Sequence, residues 1–389
     1  PVNWNSGDHL SCILFGGTIQ HDIRVPNGVF KTGQKIGELK YKKIVKDYTL
    51  PGLVKPKSKW ALQKEGYYSS KESVLRQIKH PVAKLLLDYA GLTKVHEYFV
   101  KIPQLIEEKA WENDIVHGTI NQTVAVTGRT SASNPNTQNL CPEILEFFET
   151  RNGVFLSCDA KALEWVAVNF LSQDPVGMKE IRDGVDQHTL NQKAFGLPSR
   201  LIAKVFVFRL IYGGTEFSYA QDPDFAEVNK SSKEWAEVIE AFYDKYKGIA
   251  KWHKEIFQTA MRDGKLVMPT GRIYTFGPYF KKGEMEWPRT TILNYPGQGL
   301  GADLMAIIRV LVWRKIKQTN NGHLDDMCST VHDDIKVDTA YHAHVARLFH
   351  EAFEEAPKAF ENSFGIPFNL PLRCELKIGT NLLHMKEYE

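Results

Sequence analysis

The chain has 389 residues, a formal net charge of +3 and 43% hydrophobic residues, a composition typical of a globular protein with two or three subdomains. No apolar run approaches the ~20 residues of a membrane-spanning helix, and no signal peptide is visible at the start. Five scattered cysteines without a C-x-x-C pair predict reduced thiols in a cytoplasmic compartment and no zinc site. The first residue is Pro1 rather than Met, so we expect a trimmed or processed piece of a longer chain.

A basic segment lies near the start of the chain. Only Glu38 and Asp47 accompany nine lysines there: Lys31, Lys35, Lys40, Lys42, Lys43, Lys46, Lys55, Lys57 and Lys59. Such a cluster favours binding of a polyanion through release of counterions, although a solvated lysine-rich loop has the same composition. We expect a pair of short strands or extended loops here, ending at Pro51-Gly52.

Helical spacing of apolar residues predicts two helices between Ser70 and about Glu108, which could form a clamp on duplex nucleic acid or a plain helical hairpin. Residues 115–126 alternate as a strand does, and they lead into a tract of turn formers and amides at 127–140. Side-chain amides and one arginine can bind the acceptors of a DNA minor groove, whereas the alternative is a passive connector.

An aspartate follows a buried strand in the next segment. The apolar run 154–158 predicts a strand that ends at Asp159, and Glu164 lies five residues on, in the first turns of a helix. A rigidly held aspartate that faces a cleft suits a metal ion. The alternative is that Asp159 merely caps the following helix.

The stretch 199–214 predicts a helix that begins after Ser199 and ends at a pair of glycines. Four side chains recur every four residues and form one stripe, roughly 18 Å long: Arg200, Lys204, Phe208 and Tyr212. The two cations could bind phosphates, and the two aromatic rings could face a sugar and base. An amphipathic helix with solvated cations is the alternative reading.

The last third of the chain contains a second aspartate motif. Residues 328–338 predict a tight β-hairpin with His332 and Asp333 at its turn. We also expect a hairpin that ends at Arg272, Asn294 and Gln298 before an apolar helix, a polar loop at Asp325-Asp326, and a final strand at 373–379.

Together these motifs resemble motifs A, B and C of family A (DNA polymerase I-like) DNA polymerases, in that order. Asp159-x4-Glu164 resembles motif A without its usual Tyr-Ser pair, and R-x3-K-x3-F-x3-Y-G resembles motif B. V-H-D-D resembles motif C, with Asp334 in place of a glutamate. The resemblance extends from Thr127 to the end of the chain, and residues 3–10 look like the opening of phage-type members.

This resemblance implies an α+β, right-hand polymerase fold with an antiparallel β-sheet palm, helical fingers and a helical thumb. The expected divisions are a thumb-like region with the basic arm (1–125), palm (126–185 and 286–389) and fingers (186–285). The implied activity is template-directed DNA synthesis, in which deoxynucleotides are added to a primer 3′ end by two-metal-ion phosphoryl transfer. No D-x-E exonuclease motif is visible, so no exonuclease is expected on this chain.

The implied site residues follow from the matching positions. The catalytic set is Asp159, Asp333 and Lys204. Two Mg2+ ions, for which Mn2+ can substitute, are expected on Asp159, the backbone carbonyl of Ala160 and Asp333, with Asp334 as a supporting acid. The nucleotide-binding set is Arg200, Lys204, Phe208, Tyr212, His188 and Glu164. The DNA-binding set is Arg129, Gln138, Asn139, Asn294, Gln298 and His332.

The implied partners are primer–template DNA and deoxynucleoside triphosphates, with room for a separate exonuclease, helicase or processivity factor and no membrane. The expected location is cytoplasmic, in the host cytoplasm if the protein is phage-encoded. A single-subunit RNA polymerase is one alternative, and Glu164 argues against it because a bulky carboxylate under the sugar would exclude a 2′-hydroxyl. A catalytically inactive DNA-binding scaffold is another, and the retention of both Asp159 and Asp333 argues against that.

Overall fold

The computed structural model describes residues 2–62, 64–281, 283–319 and 325–389. Pro1 and the side chain of Lys59, both named above, lie outside the described residues. The chain divides into two compact units, of which the first ends at Glu97 and the second runs from Tyr98 to Glu389. The finer division into thumb, palm and fingers stays a prediction.

A long β-hairpin dominates the first unit. Helix α1 (Gly7–Phe15) begins at Ser6, whose hydroxyl accepts a hydrogen bond from the His9 N–H. Strands β1 (Gly17–Val29) and β2 (Leu39–Leu50) then pair antiparallel, and the short helix α2 (Glu72–Leu75) follows. The long helix α3 (Pro81–Glu108) begins in this unit and continues past its last residue, Glu97. The core of this unit consists of Leu14, Phe15, Trp60, Val74, Leu75, Ile78, Ala83 and Leu86.

The predicted pair of strands before Pro51-Gly52 is confirmed, but the strands are longer than expected, with 13 and 12 residues, and form one hairpin. The two predicted helices are essentially one, because α3 continues for 28 residues through Gly91, a residue that costs only about 1 kcal/mol in a helix interior.

The second unit mixes helices with antiparallel sheets, as an α+β fold predicts. Its helices are α4 (Pro142–Leu145), α5 (Leu163–Ser172), α6 (Pro175–Asp183), α7 (Gln187–Ala194), α8 (Arg200–Ile211), α9 (Glu216–Gln221), α10 (Ser232–Lys245), α11 (Lys247–Asp263), α12 (Arg289–Gln318) and α13 (His342–Phe364). Its strands are β3 (Thr119–Asn121), β4 (Ser131–Ser133), β5 (Val154–Ala160), β6 (Lys265–Val267), β7 (Ile273–Thr275), β8 (Tyr279–Lys281), β9 (Glu284–Glu286), β10 (Asp325–Val331), β11 (Asp334–Thr339), β12 (Cys374–Gly379) and β13 (Lys386–Tyr388). None of the helices in the described part of the chain has the length and apolar character that a membrane span requires.

A five-stranded antiparallel sheet forms the centre of this unit, in the order β10-β11-β5-β12-β13. Strand β5 is buried because helix α13 packs against the sheet, and helices α5 and α12 extend the same apolar core. In that core Phe170 stacks on Phe368 with ring centroids 4.5 Å apart. The strand predicted to end at Asp159 and the strand predicted at 373–379 are both confirmed.

Helix α8 is held from behind by aromatic side chains. Phe206, which is fully buried, stacks on Trp235 of α10 with centroids 5.7 Å apart, and the hydroxyl of Tyr219 donates to the Phe206 carbonyl. At its start, Ser199 accepts a hydrogen bond from the Ile202 N–H, as predicted. The apolar side of α8 is therefore committed to the core.

One buried carboxylate joins two helices. Asp174 is fully buried and accepts hydrogen bonds from the N–H groups of Val176 and Gly177 at the start of α6. It also accepts the Gly248 N–H at the start of α11, at 2.7 Å. A Cβ at Gly248 would lie 2.6 Å from the Asp174 Cα, so this close approach requires glycine.

Three further expectations need correction. Asn294 and Gln298 lie inside α12 rather than before a helix, since Pro296 and the neighbouring glycines are tolerated there. At Gly299 a Cβ would come within 1.8 Å of the Tyr274 hydroxyl, so the close packing of α12 on Tyr274 requires glycine there. Asp325 and Asp326 open β10 instead of lying in a polar loop, and Asp325 is buried against the Thr339 hydroxyl. The strand predicted at 115–126 is reduced to β3.

Candidate active site

The two aspartates singled out from the sequence meet where neighbouring strands end. Asp159 lies near the end of β5, directly opposite Asp334 of β11, and the Ala160 N–H donates to the Asp333 carbonyl at 3.0 Å. The turn before β11 has two residues, and His332 adopts a left-handed φ of 53° in it. Asp159 and Asp333 both line one cavity of about 360 Å³.

Asp159 does not cap the next helix. The residue at the cap position of α5 is Ala162, in a left-handed conformation with φ 50° and no side-chain hydrogen bond. The capping alternative is therefore wrong, and the Asp159 carboxylate remains directed to the cavity that it lines.

Both carboxylates are held where ionisation is costly. Burial raises the pKa of Asp333 to about 6, opposed by the positive charge of Arg129 and reinforced by Glu164 and Asp159. Asp159 reaches the solvent in the cavity. Partial burial of its carboxylate, and then the negative charges of Asp334 and Glu375, raise its pKa. Crowded acids of this kind are stabilised by a bound cation.

Asp334 is engaged elsewhere. Its carboxylate accepts a hydrogen bond from the Ser157 hydroxyl at 2.6 Å and forms an ion pair with Lys336 on its own strand. Its charge is therefore largely neutralised within the sheet. The negative charge that remains on Asp334 still raises the pKa of Asp159, which lies directly opposite on β5.

The stripe of α8 faces this cavity. Arg200, Lys204 and Phe208 line it together with His188 of α7, and the Lys204 Nζ lies 5.9 Å from the centre of the Phe208 ring. The Arg200 guanidinium donates to the Asp186 carboxylate at 2.6 Å. Three of the four stripe residues are thus brought to the same cleft as the two aspartates.

His188 is neutral in this arrangement. Burial, and then the positive charge of Arg200, lower the pKa of His188 to about 4. Its Nδ1 atom is buried without a hydrogen-bond partner among the described residues. At neutral pH the imidazole therefore offers a hydrogen bond rather than a charge.

Glu164 and Tyr212 both lie close to Arg129. The Arg129 Nη2 donates to the Glu164 Oε1 at 2.6 Å and lies 3.9 Å from the Asp333 Oδ1. Burial, and then the charge of Glu164, raise the pKa of Tyr212. No hydrogen bond of ordinary geometry to the Tyr212 hydroxyl is found in the described structure.

The expected DNA-binding residues are not gathered in the cavity. Gln138 donates to the Thr330 carbonyl on β10 at 2.9 Å, and the Asn139 carbonyl accepts from the Tyr98 hydroxyl at 3.1 Å. The Asn294 Oδ1 is buried without a partner among the described residues. None of the six residues expected to bind DNA is among the described residues that line the cavity: Arg129, Gln138, Asn139, Asn294, Gln298 and His332.

The cavity is also lined by residues outside the predicted site, among them Lys161, Glu375 and Arg373. Lys161 forms an ion pair with Glu375 at 3.2 Å, and Glu375 is directly opposite Asp159 on β12. Arg373 donates to the carbonyls of Ile181 and Arg182 at the end of α6. The alternation along the predicted strand 373–379 indicated which side chains share a face of that strand. It could not indicate that this strand pairs with β5, because pairing depends on both segments.

Comparison with solved structures identifies the fold as that of a polymerase domain. The POL domain of Pol1 from M. smegmatis, in complex with DNA primer-template and dNTP, superposes with a TM-score of 0.68 at 21% identity. The match covers 82% of this chain and 57% of that one. The expected fold class is confirmed.

The family assignment follows from the sequence match. The family model for DNA polymerase family A matches residues 38–384, and the chain belongs to this family. The thermostable DNA polymerase I of Thermus filiformis is 26% identical over 350 residues, covering 84% of this chain and 39% of that protein. DNA polymerase I of Chloroflexus aurantiacus is 24% identical over 376 residues, covering 90% of this chain and 37% of that protein.

The chain thus spans about two fifths of the length of these curated relatives. Both relatives are bacterial, so they give no support to the phage-type assignment. That assignment is based on residues 3–10, which precede the matched segment, and it stays a prediction.

Proposed function

We propose that this chain catalyses template-directed DNA synthesis, adding deoxynucleotides to the 3′ end of a primer by phosphoryl transfer. The observation that supports it best is the convergence of Asp159 and Asp333 in one cavity that Lys204 and Arg200 also line. Carboxylates opposite cations are the arrangement that phosphoryl transfer requires, because catalysis there is mainly positioning and charge stabilisation.

The residues present fit a magnesium site. Asp159 and Asp333 have raised pKa values that a divalent cation would lower, and carboxylate, carbonyl and phosphate oxygens are the ligands that Mg2+ prefers. Asp159, the backbone carbonyl of Ala160 and Asp333 would hold two Mg2+ ions, for which Mn2+ can substitute. Bound there, the ions would lower the pKa of the primer 3′-hydroxyl and stabilise the departing pyrophosphate.

The remaining cavity residues bind and orient the nucleotide. Lys204 attracts the triphosphate as a point charge, and Arg200 exchanges Asp186 for phosphate oxygens. His188 donates a hydrogen bond from its neutral ring. Phe208 packs against the sugar and base, and Tyr212 stacks near the templating position.

Glu164 selects the sugar in this proposal. Arg129 holds its carboxylate in a half-buried position next to Asp333, where it would exclude a 2′-hydroxyl. A site that leaves a polar group clashing or unpaired discriminates strongly between two substrates. The match to a DNA polymerase family supports this over the RNA polymerase alternative.

Six residues would bind primer–template DNA in this proposal: Arg129, Gln138, Asn139, Asn294, Gln298 and His332. The proposed divisions are the thumb-like region (1–125), the palm (126–185 and 286–389) and the fingers (186–285). A separate exonuclease, helicase or processivity factor and a cytoplasmic location remain part of the proposal.

Primer extension with Mg2+ tests the proposal directly. Asp159→Asn and Asp333→Asn are each expected to abolish extension while primer–template binding persists. Asp326→Asn is the matched control, since it removes an exposed carboxylate from the adjacent strand β10. Full extension by either cavity variant would refute the metal assignment, and a parent protein that binds DNA without extending it would favour the inactive scaffold.

A further inference from the structure

The long hairpin of the first unit distributes its charge unequally between its two faces. Strands β1 and β2 pair without a register shift from Gly17 opposite Leu50 to Pro26 opposite Tyr41. Successive side chains of a strand point to opposite faces, so register assigns each side chain to one face of the ribbon.

One face carries lysines and no acid. It contains Lys42 opposite Val25, Ile44 opposite Ile23, and Lys46 opposite His21. On β2 this face, which we call the lysine face, consists of Lys40, Lys42, Ile44, Lys46 and Tyr48. The Lys46 Nζ lies 5.2 Å from the centre of the Tyr48 ring.

The other face is electrically balanced. Arg24 lies opposite Lys43, and Asp22 and Asp47 belong to the same face. Lys43 forms an ion pair with Asp22. We call this set of four residues the balanced face, because its formal charges cancel.

The lysine face has no compensation within the described structure. Lys40, Lys42 and Lys46 are exposed, and none of the three forms an ion pair with a described acid. Side chains two residues apart on a strand are separated by about 7 Å, so like charges at this spacing repel one another. The repulsion is relieved when a polyanion lies along the face.

We propose that the lysine face binds the sugar–phosphate backbone of duplex DNA, as a contact additional to the active site. Lysine is a good point-charge partner for phosphate but is depleted from protein–protein interfaces, which favours DNA over an acidic protein. From Lys40 to Lys46 the strand advances about 20 Å, which matches roughly six base pairs of duplex.

The family resemblance does not assign this surface. Strand β1 and the turn that follows it precede residue 38, where the family match begins, whereas the lysines of β2 lie inside the matched segment. The choice of DNA as the polyanion rests on the proposed function, whereas the unequal charge of the two faces is independent of it.

The test compares two double variants of the same ribbon. Lys42→Gln/Lys46→Gln removes two charges from the lysine face, and Arg24→Gln/Lys43→Gln removes two from the balanced face. Fluorescence anisotropy measures the Kd for a blunt duplex between about 50 and 200 mM salt. The lysine-face variant is expected to bind more weakly, with a log–log salt slope reduced in magnitude by about one for each lysine. The balanced-face variant is expected to change the slope by less than half as much.

Equal effects of the two double variants would show that only net charge matters, and this would overturn the proposal. An unchanged Kd and salt slope in the lysine-face variant would also overturn the proposal, and an acidic protein would then be the better candidate partner for this face. Thermal melting of both variants checks that the ribbon is intact. A parent protein that fails to extend a primer would refute the proposed function but would leave this comparison of duplex affinity meaningful.

Discussion

Replacing Asp333 with asparagine is expected to make the protein more stable at pH 8 in the absence of divalent metal, even though it abolishes extension. Burial raises the pKa of Asp333 from 3.8 to about 6, which means that the fold disfavours the ionised carboxylate. The penalty is absent below the unfolded pKa near 4, grows as the pH rises towards about 6, and is then constant.

The size of the effect follows from the shift. Two pKa units correspond to about 3 kcal/mol, since each unit is worth 1.36 kcal/mol. The attraction of the Arg129 guanidinium, 3.9 Å from the carboxylate, is already included in this shift, and burial of the asparagine amide offsets part of the gain. We expect a net stabilisation of about 1–2 kcal/mol, or an increase in Tm of roughly 2–3 °C for a unit of this size.

Thermal melting with and without Mg2+ measures the prediction. Without metal, the gain in Tm should be larger at pH 8 than at pH 5, and Mg2+ should raise the Tm of the parent but not of the variant. Asp338→Asn is the matched control, because the Asp338 carboxylate accepts hydrogen bonds from Thr150 and from the N–H groups of Arg151 and Asn152. That change should destabilise by about 1–3 kcal/mol. An Asp333→Asn protein that melts below the parent at pH 8 would refute the reasoning.

Three further changes probe other parts of the structure. Glu164→Ala should raise the ratio of ribonucleotide to deoxynucleotide incorporation at least about tenfold, and an unchanged ratio would remove its role in sugar selection. Lys204→Ala should lower kcat/KM for the nucleotide by about 10²-fold with little change in primer–template Kd, and the reverse pattern would contradict phosphate binding. Asp174→Ala should lower the free energy of unfolding by about 2–4 kcal/mol, because it leaves the N–H groups of Gly177 and Gly248 unpaired. A loss below 1 kcal/mol in denaturant titration would show that water replaces the carboxylate.

Features that depend on neighbouring residues could be predicted from the sequence. The start of α8 at Ser199 follows from a local capping bond, and the turn at His332 follows from two short strands that flank it. The stripe from Arg200 to Phe208 reaches the cavity because helical periodicity determines which side chains share a face.

Features that depend on distant partners could not be predicted. The ion pair of Arg129 with Glu164 joins segments 35 residues apart, and Asp174 meets Gly248 across 74 residues. Glu375 was missed because its position opposite Asp159 depends on which strand pairs with β5. The close packing of α12 on Tyr274 at Gly299 likewise depends on a residue 25 positions away in the chain.

The placement of β5 between β11 and β12 has a mechanical consequence. Asp159 pairs with Asp334 on β11, and the Ala160 N–H donates to the carbonyl of Asp333 in the two-residue turn before that strand. The spacing of Asp159 and Asp333 changes substantially only if these backbone hydrogen bonds break, and helix α13 and the apolar core over the sheet oppose this until the sheet unfolds cooperatively. We therefore expect the distance between the two carboxylates to stay constant on moderate heating. Activity should be lost at the temperature at which the sheet unfolds.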